Sequence, residues 1–181
     1  CGIKQLLKGK PDSYFDWCGM SCKQDTSYLK NKKGETIGFV EVVTDLTSIL
    51  RVNAYTKQEV DRLAVNLDLL AQGNLELDLN VTEADEYTKD TKESFVKINN
   101  NLNKVKESLN GLIDEAVSLA SAAAEGKITV RGDLNRLKGS YGAIVKGIND
   151  LIDAIEEPLS EAEAVMTKMS VNDYTIQMKG Q

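Results

Sequence analysis

FVKINNNLNKVKESLNGLIDEAVSLASAA, residues 95–123, is the stretch that decides the fold. Within it Phe95, Ile98, Leu102, Val105, Leu109, Leu112, Ala116, Leu119 and Ala123 follow one another in steps of three and four without a slip. Side chains at that spacing line one stripe of a helix, and a 3.5-residue period sustained this long predicts a seam packed against partner helices. The rhythm returns downstream at Tyr141, Ile144, Ile148, Leu151, Ile155, Pro158, Ala162, Val165 and Met169. A shorter version precedes it at Val60, Leu63, Leu67 and Leu70.

Between these seams the chain repeats itself. Leu70-Ala71-Gln72-Gly73-Asn74-Leu75 matches Ala123-Ala124-Glu125-Gly126-Lys127-Ile128, and both match Met169-Ser170-Val171-Asn172-Asp173-Tyr174. A second matched block runs from Ser94 and Phe95, and again from Ser140 and Tyr141. One unit therefore reads as helix, break, connector, helix. Glycine closes a helix in the left-handed conformation with no Cβ to clash, and asparagine is the next best residue for it, so Gly73, Gly126 and Asn172 are predicted to end their helices this way. After each break apolar residues alternate with polar ones, as in Leu75, Leu77, Leu79 and Val81, or Ile128 and Val130 followed by Leu134. Such a connector is expected to lie extended along its helices with one face tucked in. Pro158 falls on a seam position, where it marks either a helix end or a kink.

The first stretch has a different texture. It holds Cys1, Cys18, Cys22, Tyr14, Phe15 and Trp17, and two strand-like runs, Thr26–Leu29 and Thr36–Val43, separated by Asn31-Lys32-Lys33-Gly34. A β-hairpin is expected there.

Composition narrows the function. With no histidine in 181 residues there is no imidazole base, no His-ligated metal and no phospho-accepting histidine. A net charge of −6 argues against nucleic acid as partner. No apolar run is long enough to span a membrane, and the cysteines are too few for a disulfide framework, which fits a reducing cytoplasm. Cys18 and Cys22 lack the further ligands a metal site needs, and the acidic run Glu83–Glu86 lacks the loop of a calcium site. Neither an enzyme nor a cofactor is expected.

The segment Gly34–Thr47, closing on Asp45-Leu46-Thr47, resembles the last strands and exit motif of a PAS sensory domain, in which the Asp and Thr tie the sheet to the outgoing helix. From about Asn53 onward the helix, Gly-x-hydrophobic connector and phase-matched second helix are similar to a HAMP domain, the parallel dimeric four-helix relay of chemoreceptors and sensor kinases. The resemblance implies a mainly α fold of tandem HAMP-like units behind a small antiparallel β remnant. The parts are 1–52 (PAS-like exit), 53–112 and 110–157 (two HAMP-like units) and 158–181 (the start of a third). In family terms Leu75 and Ile128 are the first connector anchors and Leu79 and Leu134 the second, with Phe95 and Tyr141 opening the second helices. The family's acidic Asp-Glu-x-Gly entry is replaced by Lys92-Glu93-Ser94-Phe95 and Lys138-Gly139-Ser140-Tyr141.

The expectation is a cytoplasmic homodimer, part of a methyl-accepting chemotaxis protein. It would relay a change from the PAS-like module to a downstream signalling domain and its kinase and adaptor complex. Asp45, Thr47, Gly73, Leu75, Leu79, Phe95, Gly126, Ile128, Leu134, Tyr141, Pro158 and Asn172 would carry the relay. The alternatives are a static coiled-coil scaffold and the input half of a sensor histidine kinase.

Overall fold

The computed structural model describes residues 2–173 and 175. The protein is mainly helical, with a three-stranded antiparallel sheet near its N-terminus. A short helix α1 (Gly2–Leu6) leads into β1 (Asp12–Trp17), β2 (Met20–Lys30) and β3 (Thr36–Asp45). Three helices follow: α2 (Thr47–Ala71), α3 (Lys89–Ala124) and α4 (Ser140–Ser170). The chain divides into two compact units, 1–100 and 101–181.

The expected hairpin is β2 and β3, with Tyr28 facing Phe39 and their rings 5.6 Å apart. Its turn is organised by Asn31, whose Oδ1 accepts from the backbone N–H groups of Lys33 and Glu35, and Gly34 supplies the positive φ of 83°. The third strand, β1, is an addition that the strand pattern does not announce. Cys18 and Gly19, at φ 49° and 82°, form a two-residue turn of the kind whose twist matches a hairpin, and cysteine does not advertise such a turn. The CxxxC pair is thereby split: Cys18 is exposed at the turn and Cys22 is buried in β2, where burial pushes its thiol pKa up. Cys1 lies outside the described residues.

The helices show two adjacent apolar stripes rather than one. On α4 the residues buried by the chain itself are Val145, Asn149 and Ile152, one position on from the expected seam. The seam residues Ile144, Leu151 and Ile155 stay between 46% and 63% exposed. On α3 the seam divides: Phe95, Leu102 and Leu119 turn inward, while Ile98 and Val105 remain open. Each fully buried side chain of this size contributes about 1.5–3 kcal/mol. α4 runs through Pro158, which is exposed, so the proline is not a helix end; it has no N–H to give to the preceding turn.

Among the described residues, no helix is long and apolar enough to cross a membrane, and no group of three or more Cys, Asp or Glu side chains is placed to hold a metal ion.

Candidate functional site

Three helix ends close in the same way. Gly73, Gly126 and Asn172 have φ of 76°, 78° and 61°. In each, the N–H of the break residue donates to the carbonyl three residues back: Gly73 to Leu70, Gly126 to Ala123 and Asn172 to Met169, each at 3.0 Å. The next N–H reaches five back: Asn74 to Leu69 at 2.8 Å, Lys127 to Ala122 at 2.8 Å and Asp173 to Lys168 at 3.0 Å. This pair of bonds is the Schellman closure, which satisfies carbonyls that a helix end leaves orphaned.

The chain leaving Gly73 is irregular but ordered by side chains. Leu75, Leu77, Leu79 and Val81 are half-buried, and Glu76, Asp78 and Asn80 between them are exposed, as the alternation predicts. Polar side chains then grip the backbone. Asn66 Nδ2 donates to the Asp78 carbonyl at 2.6 Å and its Oδ1 accepts from the Asp78 N–H at 2.9 Å. Asn99 Nδ2 donates to the Leu79 carbonyl at 2.8 Å. Thr82 is held from both sides, its N–H donating to Glu59 Oε1 at 3.0 Å and its carbonyl accepting from the Tyr55 hydroxyl at 2.7 Å. Glu59, 1% exposed, is also paired with Arg62. Burial, ahead of the nearby Glu59 charge, raises the Tyr55 pKa.

α3 begins at Lys89, so Lys92–Phe95 already lies inside the helix and is not its entry. What stands at the entry is Asp85-Glu86-Tyr87-Thr88. Asp85 and Thr88 bond reciprocally: the Asp85 N–H donates to Thr88 Oγ1 at 2.9 Å, and that hydroxyl donates to Asp85 Oδ1 at 2.8 Å. The Thr88 bond holds the Asp85 carboxyl below its ordinary pKa.

The second connector is seated differently. Ile128 is half-buried, but the buried leucine is Leu137, and Leu134 is 47% exposed. Gly132 is buried between Leu119 and Val145; a methyl group there would meet Val145 Cγ1 at 2.5 Å and Leu119 Cδ1 at 3.0 Å. Asn149 bonds its backbone both ways, accepting from the N–H at 2.8 Å and donating to the carbonyl at 3.1 Å. Glu115 accepts from the Asp133 N–H at 2.9 Å. Arg131 reaches Asp153 at 2.6 Å, Glu156 and the Ile128 carbonyl at 2.7 Å, and these carboxylates raise its pKa. Tyr141 is half-buried in the first turn of α4.

At the other end, Thr47 starts α2 and is 5% exposed. Its N–H and hydroxyl both donate to Asp45 Oδ1, at 2.8 and 2.5 Å, and its Oγ1 accepts from the Ser21 N–H at 2.9 Å. These bonds, the hydroxyl's first, hold the Asp45 carboxyl below its ordinary pKa.

The breaks are thus where the repeat puts them, and the structure adds the residues that hold the connectors: Glu59, Asn66, Asn99, Arg131 and Asn149. Residues 136–181 match the family model of the HAMP domain. A signal-relay module of the kind found in sensor and transducer proteins therefore includes α4, Pro158 and the closure at Asn172. No curated protein matches the chain.

Proposed function

We propose that the chain is a non-enzymatic conformational relay in a chemoreceptor, in which a PAS-like sheet acts on tandem HAMP-like units working as a parallel homodimer in the cytoplasm. A downstream signalling domain, with its kinase and adaptor complex, would receive the change. The observation that carries this reading is the threefold Schellman closure at Gly73, Gly126 and Asn172, with a connector held back against the helices after each of the first two. The HAMP match over 136–181 supports it for the last part of the chain. The Asp45–Thr47–Ser21 tie supports an input role for the sheet, because it couples the end of β3 and the start of β2 to the first turn of α2. The open stripe of Ile144, Leu151 and Ile155 supports a second copy as the packing partner, since buried apolar area is what a seam of this period offers.

Leu151, 63% exposed, is the place for a spin label. In a parallel dimer two labels there give one short distance, alongside a dimeric mass by light scattering. A monomer at micromolar concentration, or a long distance from an antiparallel pair, overturns the reading.

A further inference from the structure

At two matching positions the first connector is held by polar side chains and the second by apolar ones. Asn66 and Leu119 each stand seven residues before their break, and Asn99 and Val145 each stand four beyond Phe95 and Tyr141. Leu79 and Gly132, in turn, each lie six residues past the break. In the first connector the two asparagines hydrogen-bond the backbone at Asp78 and Leu79. In the second the leucine and valine close over Gly132, and Asn149 bonds it.

We propose that the first connector is a releasable latch and the second a fixed clamp, so that a change entering through α2 detaches residues 78–82 while Gly132 stays seated. The proposal deepens the relay reading and rests on it for its purpose. Its physical basis is the replacement available on release. The backbone groups of 78–82 are bonded by amide, carboxylate and phenol side chains, Gln58 Nε2 donates to the Thr82 hydroxyl at 3.2 Å, and water serves all of these bonds after detachment. The half-buried Leu75, Leu77, Leu79 and Val81 supply the return. At Gly132 water can replace the two Asn149 bonds but not the apolar contacts. Val145 is fully buried and Leu119 is 3% exposed, so lifting the glycine out wets both or leaves a void between them.

Three amides make the comparison direct. The N–H groups of Asp78, Thr82 and Gly132 each donate to one side-chain acceptor: Asn66, Glu59 and Asn149. Hydrogen exchange by NMR on the full chain reads the opening of each. Asp78 and Thr82 are expected to exchange about tenfold or more faster than Gly132 after correction for local sequence. Asn66→Ala should speed exchange at Asp78 further and leave Gly132 unchanged. Gly132→Ala should speed exchange at Asp133, whose N–H is held by Glu115, and leave Asp78 unchanged. Equal protection at the three amides, or slower exchange at Asp78 and Thr82, overturns the latch. The wild-type order decides this by itself, whatever the folding of either variant. The expected order in a chain that proves monomeric sinks the relay reading alone, and a dimer with the reverse order sinks the latch alone.

Discussion

The first connector is bonded by buried polar side chains where the second is closed over by buried apolar ones, although both begin with the same closure. Glu59, Asn66 and Asn99 bond the first, with Tyr55 and Phe95 also buried on the same helices, and Leu119 and Val145 close over the second, with Asn149 bonding it. The closure is a backbone arrangement that needs only a residue tolerant of positive φ, so it recurs unchanged. The seat that receives the connector is built from side chains, and side chains differ between the copies. A repeated architecture can thus keep its joints constant while its interiors differ in how they resist opening. Apolar packing resists through contacts that have no counterpart in water, whereas polar bonding resists by a smaller net margin per bond.

If this contrast is right, the largest effect should follow from opening the apolar seat. Leu119→Ala removes a side chain that is 3% exposed and should cost about 4 kcal/mol, near the upper part of the range for such cavities. Denaturant unfolding with an unchanged m-value checks it, and a cost below about 1 kcal/mol would mean that the interior collapses to fill the gap. Glu59→Ala comes next. It strands Arg62, whose Nε already has no partner, and leaves the Thr82 N–H without its acceptor. Breaking a buried pair from one side costs about 3 kcal/mol here, since Arg62 retains 17% exposure. Replacing both partners by apolar residues should recover much of that loss, and a double-mutant cycle would show it.

The joints themselves should respond more weakly. Gly126→Val places a β-branched residue at φ 78° and should cost about 2 kcal/mol, with Gly126→Asn costing less than half as much, both read from melting temperature. Should both variants raise the melting temperature, the left-handed assignment at the break fails. The smallest effect belongs to the sheet exit. Asp45 has a folded pKa lowered from 3.8, chiefly by the Thr47 hydroxyl, so its contribution is present above pH 3.8 and is lost as pH falls through the folded value. Asp45→Asn should lower stability slightly at neutral pH, flatten its pH dependence through that acid window and make little difference below the folded value.

The breaks are plain in the sequence, because a glycine that recurs at one place in a repeat, just past an apolar seam, points to a left-handed helix end. The helices and the β2–β3 hairpin are legible for similar reasons of period and turn chemistry. The holders of the connectors are hidden. The strongest 3.5-residue rhythm on α4 runs through Ile144, Ile148, Leu151 and Ile155, whereas Val145, Asn149 and Ile152 are the buried residues on the stripe beside it, the first two against Gly132 of the chain's own connector. An asparagine one position off an apolar seam looks like a solvated residue until the backbone it bonds is known. The same ambiguity puts the α3 entry at Lys92 on sequence alone, because Lys92 and Ser94-Phe95 repeat as Lys138 and Ser140-Tyr141, whereas Asp85-Glu86 has no match at that spacing. Alternation favours Leu134 over Leu137, yet it carries no information about where the connector bends.

The third closure differs from the other two in one atom that matters for mutational tolerance. Asn172 already carries a Cβ at φ 61°, whereas Gly73 and Gly126 carry none. A library of single substitutions should therefore show two narrow troughs, at 73 and 126, where nearly every replacement is strained. At 172 the trough is shallow, and glycine there stands above the resident residue rather than below it. The chain that leaves α4 can accordingly drift in sequence at its joint without losing the turn, a freedom the two earlier joints lack.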